Sequence, residues 1–122
     1  YLSQEHGFEA WGNFPHEVDR LAKLIEDTKP KGVVVLSGDR HISEFSKINL
    51  EGIDYPLIDF TSSGLTHAYR EFSGEPNKYR VGEVVYTESF GILEFDFKAK
   101  TVDFKIVGDN GNVLGQLEQV YE

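Results

Sequence analysis

The chain has 122 residues, 39% of them hydrophobic, with nine Phe, six Tyr and one Trp; that is one compact domain, or a piece of one, with enough apolar mass for a core. Twenty-one acidic against twelve basic residues leave a formal charge of −9, which excludes a nonspecific nucleic-acid surface, because such a surface neutralises phosphates with positive charge. Cys is absent, which excludes disulfides and Cys-based zinc sites, and no apolar run approaches the roughly 20 residues of a membrane helix.

The chain opens on Tyr1 and contains no Met, so the expectation is a processed or truncated polypeptide. No signal peptide is visible. The stretch 1–15, "YLSQEHGFEAWGNFP", has no steady period and reads as a loop with aromatic anchors, Trp11 among them. A helix is predicted over 16–28, where Val18, Leu21, Ala22 and Ile25 recur at helical spacing and Leu24 broadens the stripe. Pro15 suits its first turn, and Pro30 stops it.

"GVVVLSG" follows. An apolar run without alternation predicts a central strand at Val33–Leu36, buried on both faces. Helix then strand is half of an α/β crossover unit. Residues 42–55 read as irregular, "YPLIDFTSS" as a second short strand, and 65–80 as a polar loop with at most one helical turn. The remainder is β. "VGEVVYTES" is a possible strand; "FGILEFDFK" and "TVDFKIVG" alternate cleanly; "KAK" at 98–100 joins those two as a hairpin. "GDNGN" is a turn leading to the last strand, "VLGQLEQVY". The predicted fold class is α/β of the α+β kind: one amphipathic helix plus a mostly antiparallel β-sheet.

The chemistry concentrates where the first strand ends, at "SGDRH". Ligands of open α/β sheets bind at the carboxyl ends of strands. Asp39 offers a hard oxygen ligand and His41 an imidazole nitrogen, both usual for zinc, iron or manganese, and Gly38 permits a tight turn. On their own these residues also fit an ordinary surface turn.

Four blocks occur in an order that adds to this: "AWGNFPHEVDRLAKLI", "VVVLSGDRHISEF", "LIDFTSSGLTHA" and "ESFGILEFDF". Over roughly residues 8–115 the chain resembles the carboxyl-terminal part of PhoD-like alkaline phosphatases, members of the calcineurin-like metallophosphoesterase superfamily. The resemblance implies part of a metallophosphoesterase α/β sandwich, with residues 1–122 as the carboxyl-terminal part of that domain. It implies a dinuclear centre of Fe, Mn, Zn or Ca that hydrolyses phosphate esters, with His41 holding one metal and Asp39 facing or ligating the second. It also suggests a periplasmic or secreted protein.

The superfamily's earlier metal motifs, Asp-x-His, Gly-Asp-x-x-Asp and Gly-Asn-His-Asp/Glu, are absent. Two ligands cannot replace the roughly seven or eight that a metal pair needs. The expectation is therefore one wall of an active site, inactive alone and prone to homodimerise through open strand edges. No membrane partner is expected.

Weaker candidates surround the motif. Arg40 offers a guanidinium that matches phosphate, and His67 follows a strand-ending loop from which it could face a phosphate or the metals. Ser62, Ser63 and Thr66 are read first as turn-closing residues and second as phosphate donors. His6 and His16 read as surface histidines, His6 with a lesser claim on a metal. The competing reading is a noncatalytic β-rich module that binds a partner through its aromatic strands, with "GDRH" merely a turn.

Overall fold

The computed structural model describes residues 1 and 9–121. Among the described residues a single α-helix, α1 (Pro15–Thr28), follows a short 3-10 turn at Trp11–Asn13 and precedes seven strands: β1 (Val34–Ser37), β2 (Ser43–Asn49), β3 (Pro56–Ser62), β4 (Arg80–Val85), β5 (Ser89–Asp96), β6 (Thr101–Gly108) and β7 (Val113–Val120). The fold is α+β, as its sequence pattern predicts. It holds two sheets where one was expected: a four-stranded sheet in the order β1-β3-β2-β4 and a three-stranded sheet β5-β6-β7. Only the β1–β3 pair is parallel.

The helix forms for the reasons visible in its period. Val18 and Ile25 are buried while Leu24 is 57% exposed. Lys29 ends the helix one residue before Pro30, in a left-handed conformation with φ 47°, its N–H donated to the Ile25 carbonyl. The apolar faces of the two sheets make the core. Phe45, Ile58 and Phe60 from the first sheet meet Val102, Phe104 and Ile106 from the second, and the Phe60 and Phe104 rings cross edge-to-face with centroids 5.9 Å apart. Gly91 lets them approach: a Cβ there would lie 2.8 Å from the Phe60 ring.

Four expectations are corrected here. Residues 42–55 are irregular only in part: β2 occupies Ser43–Asn49 and pairs antiparallel with both β3 and β4, while 50–55 form the turn that follows. The Val33–Leu36 segment is not central: among the described residues β1 pairs only with β3, so it is an edge strand. Nor is it buried on both faces, since Leu36 is 65% exposed. Trp11 is no core anchor either; it is 51% exposed, and its ring meets Tyr1 edge-on.

Period-2 alternation explains why β2 was hidden. Phe45 faces the core beside Phe60, whereas Glu44 and Ser46 face the other way, opposite Thr61 and Asp59 of β3. That second face is polar yet buried: Glu44, Ser46, Asp59 and Thr61 are all at most 5% exposed. They share a cavity with Trp11 and with Leu21 of α1. Asp59 accepts a 2.6 Å hydrogen bond from the Ser37 hydroxyl, and the Tyr1 amino group lies 2.6 Å from its other oxygen.

Candidate functional site

Asp39 and His41 lie in the loop after β1, and neither is helical or buried. Both adopt left-handed backbone conformations, with φ 67° and 55°. Such angles are uncommon outside glycine, although Asp and His tolerate them better than most residues. The tight turn expected of Gly38 is thus made by its neighbours; Gly38 has no positive φ, and a Cβ there would meet nothing within 4 Å.

Two backbone hydrogen bonds bring a second loop alongside. The Ser63 N–H donates to the Ile42 carbonyl at 3.1 Å, and the Tyr69 N–H to the His41 carbonyl at 2.8 Å. A third, from the Ser89 N–H to the Gly64 carbonyl at 3.0 Å, ties this loop to the start of β5. As a result Asp39, His41, Ser62, Ser63, Thr66 and His67 line one opening of about 380 Å³, completed by Leu65 and Phe90. The His41 and His67 rings stand edge-to-face with centroids 5.0 Å apart. Nearby, Glu88 has its carboxyl held below the usual carboxylate range, first by its own backbone N–H and then by Arg70, with a smaller contribution from His67.

Arg40 goes elsewhere. Its Nη2 donates to both carboxylate oxygens of Glu75, at 2.7 and 2.8 Å, and its Nη1 reaches Glu44 at 3.5 Å. It lines the cavity against the polar sheet face rather than the opening that holds His41. Alternate residues of the loop therefore point to opposite sides: Asp39 and His41 outward, Arg40 inward.

The inward side is a charge network that sequence inspection missed. Glu44, 2% exposed, accepts a 2.7 Å hydrogen bond from Arg80 Nε. Asn77 donates to Ser46 at 2.9 Å and approaches Glu44 at 3.5 Å. The one signal available was the Arg40-to-Glu44 spacing, which suggests an ion pair only once residues 43–49 are recognised as a strand.

Exposed His16 sits on α1 beside Glu17, away from the opening, and His6 lies outside the described residues. Among the described residues no three carboxylate or imidazole groups converge tightly enough to hold a metal ion. No helix among the described residues is long and apolar enough to cross a membrane. No family model, curated protein or solved structure matches the chain.

Proposed function

We propose that these residues form the carboxyl-terminal wall of a metal-dependent phosphoesterase of the PhoD-like kind. The observation that carries this reading is the opening at the carboxyl ends of β1 and β3, lined by Asp39, His41 and His67 with the hydroxyls of Ser62, Ser63 and Thr66. The motif order that resembles the PhoD-like family supports it independently.

In this reading His41 and Asp39 contribute an imidazole nitrogen and a carboxylate oxygen to a pair of ions, with the remaining ligands outside these 122 residues. When bound, such a pair supplies Lewis acidity and a water deprotonated near neutral pH. The oxygen ligand suits harder cations, with Fe, Mn or Ca favoured over Zn. His67 and the hydroxyls stand where they can hydrogen-bond the phosphoryl oxygens and orient the ester. Arg40 is occupied by Glu75 and is better suited to holding the loop than to binding phosphate. A periplasmic or secreted location follows from the same family reading.

The test is a comparison of two polypeptides. The 122-residue chain should hydrolyse phosphate esters negligibly, because a two-ligand site cannot retain two ions. A longer polypeptide carrying the earlier metal motifs should hydrolyse them when supplied with divalent or ferric metal. Robust hydrolysis by the short chain, abolished by His41→Ala, would show that the ligand count is wrong. A longer polypeptide inert with every metal would favour the noncatalytic module.

A further inference from the structure

At the other end of β1 from Asp39 the two sheets part, and a cavity of about 510 Å³ opens between them. That size is typical of small-molecule sites. One wall is the turn after α1, with Lys29, Lys31 and Gly32, together with Tyr55 ahead of β3; the other is the β5–β6 hairpin, with Phe95, Phe97 and Lys100, and Tyr121 after β7. We infer that this cavity binds a planar aromatic acid, a compact ring system carrying a carboxylate, sulfonate or phosphate group.

The aromatic half of the argument rests on rings that the fold leaves unused. Phe95, on the β5 face that carries core-packed Leu93, is 53% exposed, and Phe97, in the turn just after the strand, is 87% exposed. The strand has run past the end of the core. The two rings are almost parallel, 11° apart in tilt with centroids at 6.0 Å, which presents a flat apolar surface. Where the two walls meet, Tyr55 and Tyr121 cross at 63° with ring centroids 5.3 Å apart. Tyr55 is fixed in place, since its hydroxyl donates to the Pro30 carbonyl and accepts from the Val33 N–H. One wall is therefore rigid before any ligand arrives, which lowers the ordering cost of binding.

The acidic half rests on charge. The protein carries −9 overall, and most of its guanidinium groups are matched to carboxylates. Among the described residues, Lys29, Lys31 and Lys100 have no carboxylate partner. Against them stand Asp54 and Asp96, and the Asp96 carboxylate is engaged in closing its hairpin, accepting from the N–H groups of Lys98 and Ala99. Unpaired ammonium groups around an aromatic cavity complement a ring that bears an anion. This inference stands apart from the phosphoesterase reading, because it uses none of the residues around His41.

Naphthoate and its neutral counterpart naphthylmethanol are suitable probes, followed by amide NMR shifts and calorimetry on the chain itself. Saturable naphthoate binding is expected, with shifts concentrated at Gly32, Tyr55, Thr101 and Tyr121. Naphthoate should bind about tenfold tighter than the alcohol, the ratio that one charge-assisted hydrogen bond supplies. A combined Lys29→Gln, Lys31→Gln, Lys100→Gln variant should erase that ratio while still binding the alcohol. Phe97→Ala, at a side chain too exposed to matter for folding, should weaken both probes. Absence of saturable binding, equal affinity for the two probes in the unaltered chain, or shifts centred on the Asp39 loop would each overturn the assignment.

Discussion

Removing the carboxylate of Glu44 should be the most damaging single polar change in the molecule. Its side chain is 2% exposed and lies between two guanidinium groups, 2.7 Å from Arg80 Nε and 3.5 Å from Arg40 Nη1. In Glu44→Ala, Arg80 keeps only its backbone and sheet position. Its Nη2 is already buried without a partner among the described residues, so the charge would be left uncompensated. Arg40 would keep Glu75 but lose its link to β2. Breaking a buried pair by removing one partner costs about 3–5 kcal/mol. Set against a typical stability of about 5–15 kcal/mol, that is a large fraction; Tm should fall by roughly 10–20 °C. Urea unfolding followed by circular dichroism measures the loss as a shift of midpoint. A Glu44→Ala/Arg80→Ala double variant should be less destabilised than the sum of the two singles by about 2 kcal/mol, since the orphaned charge is gone. A cost below about 1 kcal/mol for Glu44→Ala, or strict additivity in the cycle, would refute the view that this network anchors the loop between Asp39 and His41.

Other outcomes follow from single features. Gly91→Ala should cost about 1–3 kcal/mol in the same unfolding assay, because its Cβ would sit 2.8 Å from the Phe60 ring and 3.1 Å from the Ser62 hydroxyl; a neutral result would mean that β5 shifts freely. Burial raises the Tyr121 hydroxyl from its ordinary value near 10 to about 12, with Tyr55 adding to the effect. The stability this contributes is complete below pH 10 and is lost as pH rises towards 12, so phenolate absorbance should show Tyr121 ionising together with alkaline unfolding, and an early, independent titration would contradict it. The β1 edge, unpaired among the described residues and carrying exposed Leu36, should recruit a second copy of the chain. Sedimentation at micromolar concentration should show a dimer that Leu36→Lys dissociates; a clean monomer that unfolds cooperatively would mean that β1 needs no partner.

The helix and the β5–β7 meander were legible because each obeys a period that one buried face imposes, and β3, buried on both faces, was legible as a short run closed by Ser62, Ser63 and Gly64. Val102, Phe104 and Ile106 alternate along β6 and all three are core. β2 was not legible because its two faces invert the usual rule. Phe45 is its one buried apolar residue in the strand, while Glu44 and Ser46 are buried through pairing with other polar groups. No hydropathy pattern distinguishes that from a loop. The division into two sheets was hidden for a different reason: alternation shows which face of a strand is buried, not which strand lies beside it. The edge position of β1 misled in the opposite direction, because Val33–Leu36 has the composition of a covered strand and Leu36 is nonetheless exposed. Asp39, His41 and His67, which line one opening, could be picked out by residue type and position. That Arg40 turns inward could not, since its direction is fixed by Glu75, 35 residues away.

The most direct measurement is the metal content and phosphate-ester hydrolysis of a longer polypeptide that carries the earlier metal motifs, before and after His41→Ala and Asp39→Ala. The account predicts about two metal ions per chain in the unaltered protein, and in each variant a lower metal content with hydrolysis reduced by at least about a hundredfold. Unchanged metal content and unchanged hydrolysis in His41→Ala would contradict it, and would leave the Asp39–His41 loop as a surface turn.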